Sequence, residues 1–145
     1  MRSIIAITAV LFLMVGRISA ENKKIKGPSL SDVMVALIKV ESSGNSRARR
    51  FEPHLVKRYG WPKSWGYSYG LTQVVYGFHR KRCGLKSPAE LYNPKINIRC
   101  GAQIFKDCQQ KTDSLAAALG CYNGDRSGKY ARKVMAHLDR ISLPK

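Results

Sequence analysis

The sequence predicts a mainly α domain of five or six short helices, compact and stapled by disulfides. Three observations carry this expectation. Apolar residues recur at helical spacing in several segments separated by Gly, Pro and Ser. No stretch alternates convincingly as a strand would, and no internal repeat or low-complexity tract is present. Four cysteines, Cys83, Cys100, Cys108 and Cys121, follow an apolar N-terminal segment. An even cysteine count in an oxidising compartment reads as disulfides. The 145 residues, 44% of them hydrophobic, suit one domain with one core and argue against disorder.

The N-terminus stands apart. Met1-Arg2 gives a positive start, an apolar run extends from Ile4 to Gly16, and the segment ends on the small residue Ala20. That order is the pattern of a secretory signal. The run is shorter than the roughly 20 residues of a membrane span, so residues 1–20 read as a secretory signal whose cleavage leaves no stable membrane span, with an uncleaved membrane anchor as the alternative. The expected destination is the periplasm or the outside of a bacterial cell. Residues 21–30, which are polar and carry Gly27-Pro28, read as a leader, and residues 31–145 as the domain itself.

Lys and Arg total 26 against 9 acids, a formal charge of +17. Without Arg2 and Arg17, 24 basic residues remain, and the charge is near +15. Such a balance points to an anionic polymer as partner, and export argues against nucleic acid.

Taken in order, Ser31 can cap a first helix whose apolar positions are Val33, Met34, Leu37, Ile38 and Val40, with Gly44 as its stop. Residues 45–69 carry Pro53, Gly60, Pro62 and Gly66 and read as irregular. Trp61, Trp65 and Tyr67 interleave there with Lys57, Arg58 and Lys63. A helix is expected from about Gly70 to Arg82. Ser87 to Glu90 has the capping-box spacing, and Asn93-Pro94 opens the next helix, with Ile96, Cys100, Ile104 and Cys108 as its stripe. Asp113 or Ser114 caps an Ala-rich helix. The last helix runs from about Gly128 to Arg140, with Tyr130, Val134, Leu138 and Ile141 on one face.

If residues 96–110 form one helix, Cys100 and Cys108 are separated by a rise of about 12 Å. A disulfide needs Cα atoms roughly 4.4–6.8 Å apart. Two pairings remain open: 83–100 with 108–121, or 83–108 with 100–121. The spacings lack the paired knuckle of a zinc site, so no metal is expected.

Glu41 is the anomaly of the first helix. It lies four residues after Leu37 and seven after Met34, on the apolar stripe. Lost hydration favours the neutral acid, and the helix C-terminus pushes the same way. A carboxyl group kept protonated near neutral pH suits a general acid for glycosidic cleavage. The bland alternative is a frayed helix end whose glutamate reaches into water.

Four motifs occur in order: KVESSGN at Lys39–Asn45, SYGLTQV at Ser68–Val74, NPKINIRCGAQIF at Asn93–Phe105 and ALGCYNGD at Ala118–Asp125. Together, over roughly residues 31–136, the chain resembles the catalytic domain of the soluble lytic transglycosylases, the goose-type-lysozyme-like peptidoglycan enzymes. The resemblance implies a lysozyme-like helical fold with no metal and no organic cofactor. It implies Glu41 as the single catalytic acid/base, with Ser42 as the small polar residue beside it. Ser68 and Tyr69 lead into Gly70, Leu71 and Gln73, which match the segment lining the sugar groove. Tyr122 matches the tyrosine that hydrogen-bonds the catalytic glutamate, and Asn123 stands next to it. Asn97 and Gly101 match a structural N-x-x-x-G.

Physical readings accompany these assignments. The Gln73 amide can both donate and accept, as an acetamido sugar requires. Tyr76 is a candidate for the groove or for the core. The cysteines take no catalytic part.

The chain also departs from the family pattern. Gly70 lies 29 residues after Glu41, further than the family usually places it. Thr72 replaces methionine, and Gly124-Asp125 follows Tyr122-Asn123 where Ala-Gly is usual. A phage- or secretion-associated branch of the family carries a similar R-F/Y-E-P-H segment.

The implied reaction cleaves the β-1,4 bond between N-acetylmuramic acid and N-acetylglucosamine and leaves 1,6-anhydro ends. The rival reading is a hydrolytic lysozyme, for which Glu52 is the candidate second carboxylate and His54 a candidate base. Two further readings are a non-catalytic cationic wall-binding module and a cationic membrane-active protein. The expected partner is the peptidoglycan glycan strand, with a secretion or conjugation apparatus as a further candidate and a monomer as the expected state.

Overall fold

The computed structural model describes residues 27–142. The apolar N-terminal segment, and the signal read in it, lie outside the described residues. Six helices dominate: α1 Leu30–Ser42, α2 Pro53–Tyr59, α3 Tyr76–His79, α4 Pro94–Gln110, α5 Leu115–Asn123 and α6 Lys129–Ser142. The domain is mainly α, as the periodicity predicts. No helix among the described residues is long and apolar enough to cross a membrane.

Helix starts follow from capping chemistry. The Ser29 hydroxyl accepts from the Asp32 N–H at 3.1 Å, so the cap of α1 lies two residues before the expected Ser31. Asn93 Oδ1 accepts from the N–H groups of Lys95 and Ile96, with Pro94 at the first helical position. Ser114, the second of the two candidates, caps α5 through the Ala117 N–H.

Two expectations fail between residues 45 and 82. The region read as irregular contains β1 (Arg49–Phe51), α2, a short 3-10 turn and β2 (Tyr67–Tyr69). Pro53 opens α2 from its first turn, where a missing N–H costs nothing. Gly60 closes it with φ 63°. The helix expected from Gly70 is instead a turn, then β3 (Val74–Val75), then the four-residue α3. Gly70 at φ 74° and Gln73 at φ 50° cannot continue a right-handed helix. β1, β2 and β3 form an antiparallel sheet in that order, pairing Arg50 with Ser68 and Ser68 with Val75. Strands of two or three residues are too short to show alternation in sequence.

The core has two lobes that share α4. One packs Leu37, Phe105, Leu119 and Val134 from α1, α4, α5 and α6. The other packs Val74, Tyr76, Leu91 and Ile104 beneath the sheet. Tyr122 touches both lobes. The disulfides resolve as Cys83–Cys100 and Cys108–Cys121, with Cα separations of 5.4 and 5.7 Å. The first ties the loop after α3 to α4, and the second ties α4 to α5.

Asn97 joins the lobes' framework to the 70–73 turn. Its side-chain oxygen accepts from the Thr72 N–H and the Thr72 hydroxyl, both at 2.8 Å. Its side-chain nitrogen donates to the carbonyls of Tyr69 (2.8 Å) and Leu91 (2.9 Å). A Cβ at Gly70 would collide with that amide, and Gly101 lets Thr72 pack against α4. The N-x-x-x-G spacing therefore places an amide and a bare backbone on one face of α4.

Replacing Asn97 with Ala strands several buried backbone groups, each costing about 1–3 kcal/mol. Asn97→Ala is expected to lose ~3–5 kcal/mol of stability, read from the urea midpoint of the oxidised protein. Reducing the disulfides, which close loops of 17 and 13 residues, is expected to cost about 2–4 kcal/mol each, measured by the same titration with dithiothreitol.

Candidate active site

Glu41 occupies the last turn of α1, just before Ser43 and Gly44 turn the chain through left-handed backbone at φ 53° and 85°. The stripe of Val33, Met34 and Leu37 is buried, and the same face carries Glu41 to the edge of the core. The Ser42 hydroxyl donates to the Leu71 carbonyl at 2.8 Å, which fastens the end of α1 to the 70–73 turn.

Two hollows meet at Glu41. A cleft of about 720 Å³ is lined by Glu41, Glu52, Ser68, Gln73, Tyr122 and Asn123, among others. A smaller one of about 330 Å³ is lined by Glu41, Arg50, Asn123, Asp125, Tyr130 and Lys133. The two hollows share Glu41, Arg50 and Asn123 as lining residues. A separate hollow of about 750 Å³ between α5 and α6 is lined by Ala116, Gly120, Ala131 and Met135. It lacks Glu41 and every other carboxylate except Asp125.

Burial is the largest influence on Glu41 and raises its carboxyl above the usual range. The Tyr130 hydroxyl, the Arg50 charge and the Asn123 amide oppose that rise, while the Glu52 charge adds to it. The net shift is upward, so the protonated acid survives to higher pH than an ordinary glutamate.

The hydroxyl bonded to Glu41 belongs to Tyr130, which donates to Oε1 at 2.6 Å. This corrects the expectation that Tyr122 fills that role. Tyr122 donates instead to the Thr72 carbonyl at 2.7 Å, and burial raises its phenol. Tyr130 was legible only as a member of the apolar stripe of the last helix. Its alignment depends on Asp125, which accepts from the Tyr130 N–H and the Ser127 N–H, each at 2.8 Å. Those bonds, together with the Ser127 hydroxyl, lower the Asp125 carboxyl to about 2, so it stays ionised and holds the entry to α6. The signal for Tyr130 was its position at the start of α6, one short loop after Tyr122-Asn123.

The other expected residues divide. Ser68, Gln73, Tyr122, Asn123, Glu52 and His54 line the larger cleft with Glu41. Ser42, Tyr69, Gly70 and Tyr76 do not line it. Tyr69 is buried with its hydroxyl on the Ser64 carbonyl, Gly70 packs on Asn97, and Tyr76 belongs to the core.

The Gln73 amide is partly spent within the protein. It donates to the Gly70 carbonyl at 3.0 Å and accepts from the Ser68 hydroxyl at 2.9 Å. One N–H and one lone pair remain for a ligand. Glu52 is ion-paired with Arg50 at 2.6 Å, and His54 Nδ1 lies 3.9 Å from its other oxygen. His79, also in the cleft, is lowered to about 4 by burial and then by Arg82, so its imidazole is neutral near neutral pH.

Among the described residues no three His, Cys, Asp or Glu side chains gather as metal ligands would. Comparison with curated proteins yields no match, and comparison with solved structures yields none. The family model described as the transglycosylase SLT domain matches residues 19–138, a span that includes all four motifs and every side chain of the groove named above. The chain belongs to the transglycosylase SLT domain family, whose members are in general lytic transglycosylases of peptidoglycan.

Proposed function

We propose that the protein cleaves the β-1,4 bond between N-acetylmuramic acid and N-acetylglucosamine in peptidoglycan, with Glu41 as its single acid/base. The observation that carries this reading is a half-buried carboxyl group with a raised pKa that lines two neighbouring hollows. A glycan strand laid along both would present its scissile oxygen to Glu41. The protonated carboxyl donates to the leaving 4-oxygen of N-acetylglucosamine as the C1–O4 bond breaks. The 2-acetamido group of the muramyl sugar stabilises the electron-poor anomeric carbon. Glu41, now ionised, takes the proton of the muramyl 6-hydroxyl, whose oxygen closes on C1. Glu41 is protonated again at the end, no water is consumed, and the product carries a 1,6-anhydro ring. Tyr130 holds the carboxylate in one orientation throughout.

In this reading the chain is an exported monomer of periplasm or cell surface, cut after the 1–20 segment, with residues 31–145 as the catalytic domain. It remodels or locally opens the wall, with a secretion or conjugation apparatus as a candidate client. A hydrolytic outcome is the second reading, since Glu52 lines the same cleft. The Arg50 guanidinium engages one oxygen of that carboxylate, which leaves it less free to position a water.

The decisive experiment digests purified peptidoglycan with oxidised protein and reads the fragments by mass spectrometry. Anhydromuramyl ends are expected. Reducing ends would replace the transglycosylase with a hydrolase, and no fragments with protein retained on the wall would leave a binding module. Glu41→Gln is expected to lower cleavage by about 10²–10⁴-fold while still binding the wall.

The same substitution tests the electrostatics. A raised folded pKa means that the stability contributed by Glu41 is present below its unfolded pKa and lost as pH rises through the folded one. Glu41→Gln is therefore expected to raise the thermal midpoint at pH 7, with the difference vanishing in acid.

Tyr130→Phe removes the hydrogen bond that favours the ionised carboxylate. The alkaline limb of the activity profile is expected to move to higher pH. The maximal rate is expected to fall on the order of tenfold to a hundredfold through lost positioning.

A further inference from the structure

The segment that separates Glu41 from Gly70 does more than lengthen a loop. α2 and the following turn bring Tyr59 and Trp61 against Phe78 of α3. Tyr59 stacks on Trp61 at 4.7 Å and 21°, and Phe78 meets the two rings edge-on at 5.3 and 4.8 Å. Trp61 lies against Gly77, where any Cβ would collide with its ring. Trp65 stands edge-on to Trp61 at 6.4 Å and is itself capped by the Arg80 guanidinium at 3.8 Å. The supporting layer is therefore fixed from below and from the side. Tyr59 and Phe78 are each 45% exposed, and the Arg58 guanidinium over the Tyr59 ring, 5.6 Å from its centroid, belongs to an exposed side chain that a sugar would displace.

Both rings line the cleft that contains Glu41, and Arg58, Arg82 and Lys111 line it with them. We propose that Tyr59 and Phe78, held on Trp61, form a distal glycan subsite in which a sugar ring of the bound strand stacks beyond the residues around Glu41. A β-linked pyranose presents axial C–H groups on its face, and aromatic rings attract them through their negative π faces. Arg82 is paired with Asp107 of the same cleft at 3.1 Å, and Arg58 and Lys111 suit the carboxylates that a peptidoglycan strand carries on its lactyl groups and stem peptides. Continuity with the Glu41 cleft favours a glycan over a protein partner. The subsite rests on the glycan-cleaving reading of that cleft.

The test titrates Glu41→Gln protein with β-1,4-linked N-acetylglucosamine oligomers of two to six sugars. Tryptophan fluorescence is the readout, because Trp61 lies directly beneath Tyr59. The hexamer is expected to bind more tightly than the trimer. The pair Tyr59→Ala with Phe78→Ala is expected to weaken hexamer binding about tenfold and leave the trimer unchanged. Tyr59→Phe is expected to retain hexamer binding, and an unchanged thermal midpoint shows that the paired variant folds. Equal hexamer binding by parent and paired variant overturns the subsite, and so does a parent that does not distinguish hexamer from trimer. If the paired variant instead loses a concentration-dependent dimer seen by sedimentation, with glycan binding intact, the rings cover a second copy and the proposal falls. Length-independent binding by the Glu41→Gln protein, where the unsubstituted protein cleaves peptidoglycan, removes the subsite alone. Absence of both oligomer binding and peptidoglycan cleavage removes the glycan reading with it.

Discussion

The buried amide of Asn97 makes four hydrogen bonds, to the Thr72 N–H, the Thr72 hydroxyl and the carbonyls of Tyr69 and Leu91. Thr72 lies in a turn, Tyr69 ends β2 and Leu91 lies in the 3-10 helix Pro88–Tyr92. Without that amide the turn from Gly70 to Gln73 would bury backbone groups with no partner. The turn in turn receives the Ser42 hydroxyl from the end of α1 and the Tyr122 hydroxyl from α5. One side chain on α4 thus fixes the loop against which both walls of the groove are registered. Gly70 and Gly101 are the steric half of the same device, since a Cβ at either would strike its clamp.

Opposing influences act on the Glu41 carboxyl group. Burial favours the neutral form, while Tyr130, Arg50 and Asn123 favour the charged one. A group proposed to give and then take a proton needs both forms within reach, and opposing influences of this kind supply that. The arrangement depends on a hairpin between α5 and α6. Gly124 caps α5 in left-handed backbone, and Asp125 collects the first N–H groups of the next segment. That hairpin delivers the Tyr130 hydroxyl to α1 across 89 residues of sequence. The departure of Gly124-Asp125 from the family's usual Ala-Gly therefore has a structural role here.

The long interval between Glu41 and Gly70 reshapes the cleft rather than interrupting it. β1 carries Arg50 near the carboxylate, and α2 with its following turn brings Tyr59 to the wall of the same cleft. Cations stack on several of these rings, with Arg49 over Tyr67, Arg58 over Tyr59 and Lys63 over Phe51. Part of the strongly basic composition is thereby engaged in local packing, at about 0.5–1 kcal/mol for each exposed pair.

Much of this was legible before folding. Helical periodicity located α1, α4, α5 and α6, because each buries a stripe recurring every turn. Caps at Asn93 and Ser114 follow from side-chain chemistry that acts within three residues. The placement of Glu41 on the buried stripe, and so the direction of its pKa shift, was also a local property of α1. The short strands and α2 were hidden, since two or three residues show no period and Pro53 signals a helix start and a loop equally well. The choice between two disulfide pairings, the exchange of Tyr130 for Tyr122 at Glu41 and the internal use of the Gln73 amide were decided only by tertiary structure. Each depends on which distant segments meet, and sequence spacing carries information about neighbours along the chain rather than across the core.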